Sequence, residues 1–153
     1  MRHLLLFLSI FYVLLDCPAI EAAESIEQSI SIIIPPSESI PKLNRHDVLL
    51  IYKSQKRFWD DGRRIQAVNL PITSPIRIAF SNQVIGQAPE ELDDYWRDMY
   101  FHGVLPPFVF ASEEAVIRFI STTPGSIGYV PGCLVDRRVK VVLRLDGNVS
   151  CIH

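Results

Sequence analysis

The chain has 153 residues, of which 48% are hydrophobic and 21% charged. This composition is typical of an ordinary globular protein and excludes a collagen-like fibre, a coiled coil and a disordered chain. Fifteen Lys and Arg against 17 Asp and Glu give a formal net charge of -2, so no global basic field favours nucleic acid as a partner. Four His and three Cys are scattered without ligand-like spacing, so we expect no metal and no other cofactor.

The N-terminus has the pattern of a secretory signal peptide. Arg2 and His3 precede an apolar run over residues 4–15, and small residues follow at Ala22 and Ala23. A membrane-spanning helix needs roughly 20 apolar residues, which is more than this run offers. No other segment of the sequence is long and apolar enough to span a bilayer, so no stable membrane span is expected.

We therefore predict a cleaved signal peptide over residues 1–23 and one exported domain over residues 24–153. An uncleaved anchor is an alternative interpretation of the apolar run. A lipoprotein modified at Cys17 is another, although Asp16 stands where a lipobox has a small uncharged residue.

Export determines how the cysteines are interpreted. Cleavage removes Cys17 and leaves Cys133 and Cys151 in a compartment that permits disulfides. A bridge between them would close an 18-residue loop, which is worth about 3 kcal/mol in the chain-entropy model. Two separate thiols are the alternative, because a sequence does not show whether the two Cβ atoms face each other.

The first elements alternate between strand and helix. The β-branched run 29–34 predicts a strand that ends at Pro35. Asn44, followed by Asp47, predicts the N-cap of a short helix over about 45–52. Residues 64–70 alternate between polar and apolar and predict a second strand.

Two helices are predicted in the middle of the chain. Ser74 is expected to be an N-cap with Pro75 at the first helical position, and this helix should run to about Val84 and end at Gly86. The second helix starts near Pro89. Its predicted apolar stripe consists of Leu92, Tyr95, Trp96 and Met99.

The remaining elements complete the alternation. Ser112 is expected to cap a helix whose buried face is formed by Val116, Phe119 and Ile120. Residues 127–130 and 139–145 predict two strands. The sequence therefore indicates an α/β sandwich.

A set of short segments between about residues 40 and 145 occurs in a recognisable order. They are Leu43, Ile51-Tyr52, Trp59-Asp60-Asp61-Gly62, Ser74, Arg77, Phe80, Tyr95-Trp96, Phe101-His102-Gly103, Pro106-Pro107 and Pro124-Gly125-Ser126-Ile127-Gly128-Tyr129-Val130. This ordered set resembles the phosphate ABC transporter substrate-binding protein family. It is most similar to the short, single-lobe relatives of that family.

The resemblance implies a single-lobe periplasmic binding protein-like (type 2) α/β sandwich. It also implies a non-enzymatic periplasmic protein that binds phosphate or a related oxyanion for ABC-type uptake, with a transporter permease as partner. Two departures bear on this function. The family's Ser-Gly-Thr triplet at a helix start is matched here by Thr73-Ser74-Pro75-Ile76-Arg77, in which Pro75 removes one N–H donor. Only about 20 residues separate the signal peptide from Leu43, too few for a second lobe.

The candidate ligand-binding residues are Thr73, Ser74 and Arg77. A helix N-terminus offers unpaired N–H groups, and a guanidinium in its first turn adds a fork that suits phosphate or carboxylate. The alternative is that Ser74 only caps the helix and Arg77 is solvated. In that case the pocket is degenerate and the protein is an envelope interaction or accessory module.

Two charged segments offer further surfaces. Residues 42–64 hold seven basic and three acidic groups and can attract an anionic ligand, lipid head groups or an acidic partner. The acidic residues between 89 and 98 could dock on the basic segment of a second copy. Both segments are equally typical of solvated faces. No phosphate loop, metal-ligand cluster or nucleophile with an adjacent base occurs, so catalysis is not expected.

Overall fold

The protein is built around one mixed sheet, as seen in a computed structural model that describes residues 29–147 and 149. The predicted signal peptide and Cys151 lie outside these residues. Within them, no helix is long and apolar enough to cross a membrane.

Five strands form the sheet in the order β3-β2-β4-β1-β5. They are β1 (Ile30–Ile34), β2 (Gln66–Asn69), β3 (Phe108–Val109), β4 (Ser126–Pro131) and β5 (Lys140–Leu145). β1 runs antiparallel to both β4 and β5, whereas β2 runs parallel to β3 and β4. All five residues of β1 are buried, because neighbours cover this strand on both edges.

Helices connect the strands. They are α1 (Arg45–Tyr52), α2 (Pro75–Phe80), α3 (Asp93–Phe101) and α4 (Glu113–Thr122). A π-helical turn, Ser81–Ile85, continues α2, and a 3-10 turn, Pro89–Leu92, precedes α3. The 3-10 turn Gly132–Leu134 follows β4 and contains Cys133.

Helices cover both faces of the sheet. Successive strand residues point to opposite faces. On one face, Gly128 in β4 lies so close to α4 that an added Cβ would be 2.8 Å from Val116. On the other face, Tyr129 stacks on Phe80 of α2 with 4.0 Å between ring centroids. The ring of Tyr52 in α1 lies 4.6 Å from Phe80. The predicted α/β sandwich is therefore confirmed.

The local signals for helix ends are largely confirmed. The Asn44 side chain accepts from the Asp47 N–H at 2.9 Å, and Asp47 accepts from the Asn44 N–H at 3.1 Å. This reciprocal capping box satisfies two donors of α1. Gly86 ends the α2 segment in the left-handed conformation.

Three sequence-based expectations need correction. β2 begins at Gln66 rather than residue 64, because Arg64 pairs in an isolated antiparallel bridge with Phe58. The stripe of α3 is buried only at Leu92, before the helix proper, and its three other members are half-buried. In α4, Ile117 is buried and Phe119 is half-buried, because the two-residue edge strand β3 is too short to cover Phe119.

A buried carboxylate joins separate segments of the chain. The Glu38 side chain, only 5% exposed, accepts two hydrogen bonds from the Arg63 guanidinium at 2.5 and 2.6 Å and one from the Gly125 N–H at 3.0 Å. The hydrogen bonds from Arg63 lower the pKa of Glu38 below its usual value. The carboxylate therefore connects the exit of β1, the turn before β2 and the entry to β4.

We predict that Glu38→Gln destabilises the protein by about 2 kcal/mol at neutral pH, since charged hydrogen bonds are lost. Because the folded-state pKa of Glu38 is lowered, its stabilisation is present above the unfolded-state pKa and is lost as the pH falls through the folded-state pKa. In urea unfolding, the difference in free energy of unfolding between the wild type and Glu38→Gln should therefore narrow as the pH falls below the ordinary glutamate pKa of about 4.3. Glu90→Gln is the control, because Glu90 is exposed and forms no ion pair in the described chain, and its free energy of unfolding should equal that of the wild type. A difference between the wild type and Glu38→Gln that stays constant with pH would contradict the role of the Glu38 charge.

A second prediction concerns the turn before β4. Gly125 has φ +77°, and a Cβ there would lie 2.8 Å from the Arg64 carbonyl oxygen, whereas Gly86 has φ +78° and open space around it. Gly86→Ala should cost about 1–2 kcal/mol for the left-handed backbone alone. Gly125→Ala should cost about 1–3 kcal/mol more, because the backbone must also move. Thermal unfolding measures the difference, and equal losses would rule out the close approach.

Candidate functional site

The candidate residues follow the carboxyl end of β2. In α/β sheets, ligands bind outside the carboxyl ends of parallel strands. β2 ends at Asn69 between its parallel neighbours β3 and β4, and the chain then reaches Ser74, where α2 begins. The sequence therefore places the start of α2 at the edge of the sheet where a ligand site is expected.

The structure separates the three predicted residues by their exposure. Thr73 is exposed, Ser74 is half-buried and Arg77 is only 6% exposed. Arg77 is therefore not a solvated side chain, as one interpretation of the sequence held. Ser74 occupies the N-cap position with Pro75 after it, but its side chain makes no capping hydrogen bond. The expectation that the Ser74 hydroxyl caps α2 is wrong in this respect.

A network of hydrogen bonds at the carboxyl end of β2 fixes the Arg77 side chain. The Arg77 Nη1 donates to Asn69 Oδ1, and the Tyr129 hydroxyl donates to the same oxygen at 2.5 Å. The Leu70 N–H donates to the Tyr129 hydroxyl at 3.4 Å. Burial raises the pKa of Tyr129 to about 12, so its phenol is a neutral donor at physiological pH. Asn69 thus orients Arg77 through its amide oxygen.

Arg77 has no carboxylate partner in the part of the chain that the structure describes. Among the described residues, the hydrogen bond that the Arg77 guanidinium donates goes to the neutral amide oxygen of Asn69. A buried cation is costly unless an anion or strong hydrogen bonds compensate it. An anionic ligand beside Arg77 would supply that compensation.

Three buried polar atoms lack any hydrogen-bond partner among residues 29–147 and 149. They are the hydroxyl oxygens of Ser74 and Ser81 and the Nε of Arg77. Arg77 and Ser81 are four residues apart along α2 and its continuation, so they share a helix face, and Ser74 is the N-cap of the same helix. We call these three residues the donor set. Each can donate a hydrogen bond to an oxyanion.

Sequence reasoning missed Asn69, Ser81 and Tyr129. A polar residue at the end of a buried strand is the signal that could have found Asn69. Ser81, four residues after Arg77, extends the same helix face. Tyr129 gave no signal of its own, because its contact with Asn69 joins residues 60 positions apart.

A large cavity lies elsewhere. It has a volume of about 570 Å³ and is lined by the end of α1, by residues 64–68 and by the loop 103–108. None of Thr73, Ser74 and Arg77 lines it. In the described chain, no group of three His, Cys, Asp or Glu side chains is arranged to hold a metal ion.

The fold is similar to part of several phosphate ABC transporter substrate-binding proteins of known structure. The chain is similar to an ABC-type phosphate transport receptor from Vibrio cholerae, with a TM-score of 0.62 and 21% identity over 74% of this chain and 45% of that one. It is also similar to a protein from Clostridium perfringens described as a phosphate ABC transporter substrate-binding protein with bound phosphate. That match has a TM-score of 0.61 and 20% identity over 74% of this chain and 44% of that one.

PstS from Borrelia burgdorferi is a third similar structure, with a TM-score of 0.52 and 19% identity over 67% of this chain and 40% of that one. The chain therefore spans less than half the length of these structures. No protein-family model and no curated protein matches the sequence. The resemblance seen in the sequence is confirmed for the fold.

A prediction follows from the two serines at helix starts. The Ser112 hydroxyl caps α4 by accepting from the Ala115 N–H at 3.2 Å, whereas the buried Ser74 hydroxyl has no partner among the residues that the structure describes. Ser112→Ala should cost about 1 kcal/mol of stability. Ser74→Ala should cost less than about 0.5 kcal/mol or stabilise the protein, because it removes an unsatisfied polar group. Urea unfolding of both variants tests this, and an equal loss would show that the Ser74 hydroxyl does cap α2.

Proposed function

We propose that this protein is an exported, non-enzymatic solute-binding domain whose ligand is phosphate or a related small oxyanion. The carrying observation is that, among the described residues, the buried Ser74 and Ser81 hydroxyls and the Arg77 Nε have no hydrogen-bond partner and the Arg77 guanidinium has no carboxylate partner. In this proposal Thr73, exposed at the start of α2, contacts the solvent side of the ligand.

The donor set of Ser74, Arg77 and Ser81 suits an oxyanion better than a neutral or cationic solute. A guanidinium and hydroxyl groups all donate hydrogen bonds, and charge-assisted bonds to phosphate are about twice as strong as neutral ones. An unsatisfied buried donor costs about 1–3 kcal/mol, which a bound oxyanion would recover. The phosphate named for the similar protein from Clostridium perfringens supports the same ligand class.

We further infer a periplasmic location after removal of residues 1–23, with an ABC transporter permease as partner. The similar structures, a transport receptor and an ABC transporter substrate-binding protein by name, support the transporter partner, and the apolar run over residues 4–15 supports export. A disulfide between Cys133 and Cys151 belongs to the same proposal, since an exported protein is oxidised. The mass of the exported chain, with and without reduction, tests cleavage and pairing together.

Titration calorimetry with phosphate and sulfate tests the oxyanion site. One lobe leaves the ligand partly in water, so we expect a Kd between about 10 μM and 1 mM. Ser74→Ala and Ser81→Ala should each weaken binding about tenfold, the effect of one lost hydrogen bond to a charged ligand. Ser112→Ala is the matched control, which should lose stability and leave the isotherm unchanged.

The binding role of Arg77 is tested with a conservative substitution. Truncation to Ala would break the buried hydrogen bond to Asn69 and destabilise the fold as well as the site. Arg77→Lys keeps the charge and removes the planar fork, so it should weaken phosphate binding while the protein remains folded. Absence of heat at millimolar phosphate in the wild type would overturn the oxyanion proposal.

An exposed apolar surface favours a second candidate function, an envelope interaction or accessory module with a degenerate pocket. Five large apolar side chains between residues 100 and 109 are 52–80% exposed. They are Tyr100, Phe101, Leu105, Phe108 and Val109. Exposed apolar patches often mark protein–protein contacts. A wild type that binds no oxyanion would make this the better account.

A further inference from the structure

The large cavity opens at the edge of the sheet beside the short strand β3. β3 pairs only with Val68 and Asn69 of β2, so the loop before it diverges from residues 64–67 and leaves a space of about 570 Å³. Ligand pockets for small organic molecules have about this volume. The edge of the sheet therefore holds a space large enough for a whole ligand.

The interior of the cavity is mostly apolar. The apolar residues that line it include Ile65 just before β2, Val68 in β2, Pro107 and Phe108 at the start of β3, and Phe119 in α4. Phe119 is half-buried, and Phe108 is 69% exposed. An apolar group that entered the cavity would cover these rings, and burying apolar area is favourable.

The lining includes three cations and, within the described chain, no acid. They are Lys56, Arg57 and Arg64. Lys56 Nζ lies 3.5 Å from Asp60, whose side chain is 85% exposed. Arg57 and Arg64 are exposed and form no ion pair with any described residue. Their charges are therefore available to a ligand.

These cations sit on an ordered hairpin rather than a free loop. Phe58 and Arg64 form an antiparallel bridge, and the Ile65 N–H donates to the Arg57 carbonyl oxygen at 2.9 Å. The Trp59 indole, only 6% exposed, donates to the Gly125 carbonyl oxygen at 3.0 Å and anchors the hairpin. The backbone thus presents Arg57 and Arg64 to the same cavity.

We propose that this cavity binds an organic anion that carries an apolar group, with the anionic head at Arg57, Arg64 and Lys56 and the hydrocarbon against Phe108 and Phe119. A small ion such as acetate would leave the apolar interior unfilled. A neutral or cationic amphiphile would leave the guanidinium groups uncompensated or would be repelled by them. This site shares no residue with the oxyanion site at Ser74, so either can fail without the other.

Calorimetry with decanoate in excess phosphate tests the proposal, because the phosphate keeps the oxyanion site occupied. Decanoate should bind at least about tenfold more tightly than acetate or decyltrimethylammonium. The double variant Arg57→Gln/Arg64→Gln should raise the Kd for decanoate at least about tenfold. Arg45→Gln/Arg137→Gln makes the same change in net charge at exposed arginines outside the cavity and should change that Kd less than about twofold.

Three outcomes would overturn the proposal. Decyltrimethylammonium that binds as tightly as decanoate would indicate nonspecific apolar binding. An unchanged Kd in the Arg57→Gln/Arg64→Gln variant would show that the head group lies elsewhere. A dimer that dissociates in that variant, without decanoate binding to the wild type, would identify the occupant as the acidic segment of a second copy.

Discussion

The buried carboxylate of Glu38 is the constraint on which the arrangement of the chain depends. Its oxygens accept from Arg63 and from the Gly125 N–H, and its backbone carbonyl accepts from Lys140 Nζ at 3.1 Å. Glu38 therefore joins four parts of the chain, namely the end of β1, the hairpin before β2, the turn before β4 and the start of β5. The same contacts fix the hairpin that carries Arg57, so the cavity depends on Glu38 as much as the sheet does.

Two arginine environments underlie the two proposed anion sites. Arg77 is buried and fixed by Asn69, and the two serine hydroxyls of the donor set belong to the same helix and its N-cap, an arrangement that suits a compact oxyanion. Arg57 and Arg64 are exposed beside an apolar cavity, an arrangement that suits an anion with a hydrocarbon part. The difference arises from the sheet. The carboxyl end of β2 pairs with β3 and leads to the start of α2, whereas the residues before it, 64–67, have no pairing with β3 and line the cavity.

The elements that sequence predicted correctly are those specified by neighbouring residues. The capping box of Asn44 and Asp47 and the Ser112 cap join residues three apart, and the run Ile30–Ile34 carries its own strand signal. Such interactions form within one turn or one strand, so the pattern contains the information. The errors fall where burial depends on a distant element. Phe119 is left half-covered because β3, eleven residues earlier, is short.

The sequence by itself determined the alternation of helices and strands and the α/β class, and it predicted the segment 73–77 as a candidate site. The tertiary structure alone decided the surroundings of that segment. It buried Arg77 against Asn69, brought Tyr129 to the same amide oxygen and left the Ser74 hydroxyl without a partner in the described part of the chain. It also opened the cavity beside β3. The physical reason is that helix caps and strand periodicity are local, whereas burial and hydrogen bonding of these groups depend on strands that pair across 60 residues.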